Sequence, residues 1–166
     1  MNSEMLGQLQ VCSDELEDIR CRLEKIDVMD QEYQYLQSYA LIRACGVAEY
    51  VCHCIVADYF TRFHDPVVDK YIDDTVRNSS FSVKYSVICK TLKSFNDQWA
   101  SAFKNEIDAL DDRERIISSS NSLVSVRHAF AHGRTYTAAF EDIKRYYDDV
   151  IVMLEILYDV VNVRTE

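Results

Sequence analysis

The chain has 166 residues, a size that suits one domain with a sizeable core of its own. Three glycines and one proline leave too little turn chemistry for a β protein, so the composition points to helices. A net charge of −10 argues against holding nucleic acid by general attraction, because such binders usually present a basic surface.

That charge is uneven. Residues 1–32 carry nine acidic and three basic side chains, whereas residues 77–105 carry Arg77, Lys84, Lys90, Lys93 and Lys104 against Asp97 alone. The basic middle can still meet a phosphate backbone. The six cysteines (Cys12, Cys21, Cys45, Cys52, Cys54 and Cys89) include no Cys-x2-Cys pair, and no apolar N-terminal segment resembles a signal peptide. Reduced thiols in a cytoplasm are expected. No run approaches the roughly 18 apolar residues of a membrane span, so a soluble protein without membrane contact is expected as well.

The first predicted helix follows Leu6, Leu9, Cys12, Leu16, Ile19, Leu23 and Ile26, whose three-and-four spacing turns Asp14, Glu15, Glu17, Asp18 and Glu24 outward. Such a seam suits packing on its own bundle better than on a partner helix. A longer helix is predicted from about Gln31 to Arg62, with Leu36, Tyr39, Ala40, Val47, Tyr50, Val51, Cys54 and Ile55 in one stripe. Arg43 falls inside that stripe. An unpaired charge there would be costly, so Arg43 requires a carboxylate, a cluster of carbonyls or a cleft; Glu49 lies off the stripe and is no obvious partner within the helix.

His64-Asp65-Pro66 breaks the pattern, with Asp65 as N-cap and Pro66 in the first turn of a short helix through Val67, Val68, Tyr71, Ile72 and Val76. Asn78-Ser79-Ser80 is a loop, and Ser80 or Ser82 is placed to cap the next helix, which holds Val83, Val87, Ile88, Thr91 and Leu92. Lys84, Lys90 and Lys93 ride on it. Trp99, Phe103, Ile107 and Leu110 mark a further helix, and Asp111-Asp112 opens another, with a break expected at Ser118-Ser119-Ser120-Asn121, where four poor helix formers adjoin. The last helix is predicted from near Thr137 to about Asn162, burying Ile143, Tyr146, Tyr147, Val150, Met153, Leu154, Leu157 and Val161. The sum is an all-α, up-and-down helical bundle in a single domain, with two long helices, short extra helices and a long C-terminal helix.

The most informative stretch lies before that last helix. Leu123, Val124, Arg127, Phe130 and Ala131 fall at helical spacing, and Gly133 supplies the left-handed residue that commonly closes a helix, which places His132 at a helix C-terminus. The carbonyls there stabilise an imidazolium. Arg127 lies five residues earlier, about 7.5 Å along the axis.

Arg127-His128-Ala129-Phe130-Ala131-His132-Gly133 resembles the signature of the HEPN superfamily (higher eukaryotes and prokaryotes nucleotide-binding): Arg, a polar residue, three more residues, then His, usually followed by Gly. Arg43 and Glu49 stand at the Arg and Glu spacing of an earlier helix in several HEPN families, and the resemblance covers most of residues 31–162, with the acidic helix of residues 1–28 outside it. The match looks closest to the RiboL-PSP HEPN branch, often found beside predicted RNA ligases or phosphatases. The resemblance implies a metal-independent endoribonuclease, commonly a homodimer whose motif helices face each other across a shared cleft. It further implies a defence, toxin or stress setting, RNA such as tRNA or mRNA as substrate, and an antitoxin or neighbouring-gene partner. No cofactor is implied.

The chemistry fits those residues. A histidine near its ordinary pKa of about 6.5 can take the 2′-OH proton, and an arginine binds phosphoryl oxygens and stabilises the charge that develops on them. Arg127 and His132 are therefore the expected catalytic pair, with His128, Arg43 and Glu49 in support and Lys84, Lys90, Lys93 and Arg134 as weaker RNA contacts. The competing expectations are a non-catalytic nucleotide- or RNA-binding module, or a dimerisation domain for a separately encoded enzyme. In those, Arg127 pairs with an acid such as Asp142 or Asp149, and His132 merely caps its helix. His128 and His132 have the spacing of two metal ligands on one helix face, but no Glu lies between them and no third ligand is identifiable, so no metal site is expected. Cys52-His53-Cys54 carries none either, because neighbours at i and i+2 on a helix point about 200° apart. Tyr146, Tyr147 and Tyr158 are expected in a core or dimer interface. The acidic first helix is also placed to lie near the basic 77–105 region of the same or a partner chain and limit RNA access.

Overall fold

A computed structural model describes residues 1–62 and 65–162, and among them every regular element is helical. The order is α1 (Ser3–Leu23), α2 (Gln31–Thr61), α3 (Pro66–Ile72), a π turn (Asp73–Arg77), α4 (Tyr85–Phe95), α5 (Asp97–Asp108), α6 (Arg113–Ala131) and α7 (Phe140–Asn162). His64, in the predicted break, lies outside the described residues. Asp65 does cap α3, its side chain accepting from Val67 at 2.9 Å, with Pro66 in the first turn.

α2 is the axis of the bundle, packing against α7, α1 and α6. It buries a broad arc that includes Ala40, Leu41, Ala44, Cys45, Ala48 and Val51, and from Cys52 to Ala57 every residue is buried. By length and composition α2 could cross a membrane, but 72% of its most apolar window is covered by the other helices, so that apolarity serves the core. The predicted stripe is displaced: Tyr39 and Tyr50 are 51% and 40% exposed, and Arg43 stands at the edge of the arc instead of inside it. Tyrosine's amphipathic ring makes it a poor marker of which face is buried.

α1 belongs to the same core. Met5, Leu9, Cys12, Leu16, Ile19 and Leu23 are buried, and the Tyr147 hydroxyl of α7 donates to the Leu9 carbonyl at 3.1 Å. Leu6 is exposed, and the helix ends at Leu23, so Ile26 falls in the turn after it. Within one chain α1 packs against α2 and α7, so its acidic face does not lie along α4 or α5 of the basic 77–105 region of the same chain.

The expected break at Ser118–Asn121 does not occur. α6 is continuous, because Ser119 and Ser120 are buried where their hydroxyls have fixed partners: Ser119 donates to Asp149 at 2.6 Å and Ser120 to the Val83 carbonyl at 2.7 Å. The Ser120 oxygen also accepts from the Tyr85 amide at 3.1 Å. That contact serves the start of α4, so neither Ser80 nor Ser82 caps it. Long-range bonds here override the weak helix propensity of serine. α7 begins at Phe140, three residues later than predicted, with the Ala139 amide held by the Asp142 carboxylate at 3.1 Å. All six cysteines are free thiols, and all but Cys21 are buried.

Candidate active site at the end of the motif helix

α6 closes in a Schellman motif. The Gly133 amide donates to the Phe130 carbonyl at 3.0 Å and the Arg134 amide to the Ala129 carbonyl at 2.9 Å, with Gly133 at φ 66. His132 is thereby fixed as the last, half-helical residue, exposed beside the helix's free carbonyls. His128 is one turn earlier, also exposed, and the two rings lie 4.2 Å apart at 59°. Charge on His132 is the largest influence lowering the His128 pKa below its ordinary value, and Arg134, Arg127 and Lys84 act in the same direction. His128, His132, Arg134 and Lys84 thus form one basic cluster on an acidic protein.

Arg127 points the other way, into the seam between α6 and α2. Its Nη2 donates to Glu49 Oε1 at 2.6 Å, and the guanidinium meets the buried Cys45 thiol, which together with that carboxylate raises its pKa. Burial pushes the Cys45 thiol itself up to about 11, so it remains a neutral wall. Neither Asp142 nor Asp149 is the partner of Arg127: Asp142 takes the Ala139 amide and Arg145, and Asp149 takes Arg115 and Ser119. Arg127 keeps 33% of its side chain exposed, so donors remain for an incoming oxyanion.

Arg43 and Glu49, though spaced together in sequence, do not meet. Arg43 donates to Glu15 of α1 at 2.5 Å, pinning the first helix to the second, while Glu49 holds Arg127. Lys84, at the start of α4, is near enough to His128 to influence its proton. Lys90 and Lys93 lie about two turns and more farther along, on the exposed face of α4. Arg134 follows the Schellman turn and borders the histidines. Cys45 was not singled out from sequence, because a small thiol in an apolar stripe carries no sign of a charged neighbour.

Among the described residues no three of His, Cys, Asp or Glu gather as a metal site. His53, between its two cysteines, is buried against the Phe81 ring with Nε2 2.7 Å from the Phe81 carbonyl. The site thus offers an exposed imidazole pair, an arginine held from behind by a carboxylate, and two further cations. Such a set can bind a phosphodiester and move a proton.

No curated protein and no solved structure matches the chain. The RiboL-PSP-HEPN family model matches residues 8–163, a stretch that also takes in most of α1. With the motif on one helix end and the match running through the whole bundle, the chain belongs to the RiboL-PSP-HEPN family.

Proposed function

We propose that the protein is a metal-independent endoribonuclease in which RNA supplies its own 2′-OH as nucleophile. Membership of the HEPN superfamily supports an RNA-related function in general. The observation that carries the specific reaction is the pairing of an exposed His132, seated on a helix C-terminus beside His128, with an Arg127 held in place by Glu49. In this reading Arg127 clamps the scissile phosphate and His132 exchanges the proton. A second copy supplies the other imidazole, so that one deprotonates the 2′-oxygen and its counterpart protonates the leaving 5′-oxygen. Tyr35, Tyr39, Ile42 and Tyr50, exposed along the outer face of α2 next to Glu49, offer an apolar surface for that homodimer. Activity of this kind suits a toxin, defence or stress role under the restraint of a partner protein.

The test is cleavage of RNA by the purified protein in EDTA, alongside Arg127→Ala and His132→Ala. Activity in the wild type and its loss in both variants supports the assignment; equal activity in all three removes it. The Arg127–Glu49 ion pair favours a second reading, a non-catalytic RNA-binding or dimerisation module in which the pair only joins α6 to α2. RNA binding without cleavage, or a stable dimer indifferent to RNA, would support that reading.

A further inference from the structure

On the other side of α6 from Arg127 runs a groove of about 340 Å³ that the cationic cluster does not use. Ser122, Ser125 and Ala129 form its floor, and Tyr136, Asp142 and Tyr146 stand along its walls. Its volume lies in the roughly 300–1,000 Å³ range of small-ligand sites. Ala129 carries the carbonyl that closes the Schellman motif, and Tyr136 lies on the segment that leaves Gly133, so the groove begins where the His132 turn ends.

The walls are held before any ligand arrives. The Tyr136 ring meets Phe130 edge-on at 6.0 Å, and its hydroxyl lies 3.2 Å from Ser38 Oγ. Asp142 is fixed by the Ala139 amide at 3.1 Å and by Arg145 at 2.8 Å, which leaves a lone pair on each oxygen. Among the described residues that line the groove Asp142 is the charged one, and because Arg145 already balances its charge it serves as an acceptor for N–H donors through its remaining lone pairs. Small floor residues, phenol rings and a carboxylate acceptor together match the flat face and amino edge of a nucleobase.

We infer that this groove is a base-reading subsite for the nucleotide flanking the phosphate held at Arg127 and His132, and that it selects a base bearing an exocyclic amino group over uracil. The inference rests on the RNA reading above. Uracil sets carbonyl oxygens on both sides of its single ring N–H, and their lone pairs oppose the Asp142 carboxylate. Cytosine offers its N4 amino group to that same carboxylate.

The test is NMR titration of the full chain with 2′-O-methyl hexamers of cytidine or uridine, which lack the nucleophile and stay intact. The cytidine hexamer should shift the amides of Ser122, Ser125 and Tyr146 and bind about tenfold more tightly than the uridine hexamer. Ser125→Trp, which fills the groove from an exposed position, should abolish that preference while leaving the shifts around His128 to Arg134. Asp142→Asn, which keeps an acceptor but adds a donor, should reduce the preference. If both hexamers perturb only the Arg127–Arg134 region, or bind equally, the subsite is overturned and the RNA reading survives. If neither perturbs any residue, both fail.

Discussion

Arg127 on α6 and Glu49 on α2 are 78 residues apart in the chain and joined by a 2.6 Å hydrogen bond. The bond crosses the seam between the motif helix and the central helix, with the Cys45 thiol as a third member. Arg127 is thus aimed by a helix other than its own, so Glu49 is a positioning residue for whatever Arg127 contacts.

Glu49→Ala should lower RNA cleavage about tenfold, the kinetic equivalent of one charge-assisted hydrogen bond of about 1.5 kcal/mol. Arg127→Ala should lower it by about 10²–10³, the size of a lost oxyanion donor. Single-turnover rates check both, and Glu49→Gln, which keeps an acceptor, should recover most of the loss. The double variant should be no worse than Arg127→Ala alone, because Glu49 has nothing to position without the guanidinium.

His128 should titrate below 6.5 in the folded protein and move back toward 6.5 in His132→Ala, since the charge of His132 is the first cause of its shift. Histidine-resolved NMR measures this, and added salt should narrow the difference. The sign for stability follows. Above 6.5 the ring is neutral in both states and contributes nothing; as the pH falls below 6.5 the unfolded chain binds the proton first, and native stability declines until the folded pKa is passed.

Gly133→Ala should destabilise the fold by about 1 kcal/mol through backbone strain alone. A Cβ at Gly133 would meet nothing within 4 Å, so the cost comes from φ 66 and not from a clash. Gly133→Asn should cost less, because asparagine tolerates the left-handed region. Chemical denaturation distinguishes the two. Cleavage should fall in proportion to the loss of the Schellman bonds that fix His132.

Ser120→Ala should cost about 2 kcal/mol, because it strips a bond from the Val83 carbonyl and another from the Tyr85 amide at a fully buried position. The same substitution at exposed Ser125 should be close to neutral. Urea midpoints for the two variants separate them.

Leu16→Ala in α1 should cost about 2–5 kcal/mol, the range for a large-to-small change at a buried site. Thermal unfolding of the full chain measures it. A cost under about 0.5 kcal/mol would mean that α1 is a detachable arm and not part of the core.

Much of the bundle was legible because helical periodicity is a local property. Trp99, Phe103 and Ile107 are the buried face of α5, and Ile143, Val150, Leu154 and Leu157 that of α7, as their spacing requires. Asp65-Pro66 and Gly133 mark helix ends because their backbone preferences need no neighbour. Periodicity misleads where a side chain is amphipathic or a polar group has a distant partner. Tyr39 and Tyr50 counted as buried and are exposed, while Ser119 and Ser120 suggested a break and instead anchor α6.

The candidate site divides the same way. Sequence alone determined that an Arg and a His sit five residues apart at a glycine-closed helix end, since the left-handed preference of Gly133 is local. Only tertiary structure decided that Arg43 belongs to Glu15 and Glu49 to Arg127, because ion pairs form between whichever helix faces the packing of α1, α2 and α6 brings together. It likewise set Asp142 and Tyr146 beside Ser125, a meeting of α6 and α7 that no spacing along one helix encodes.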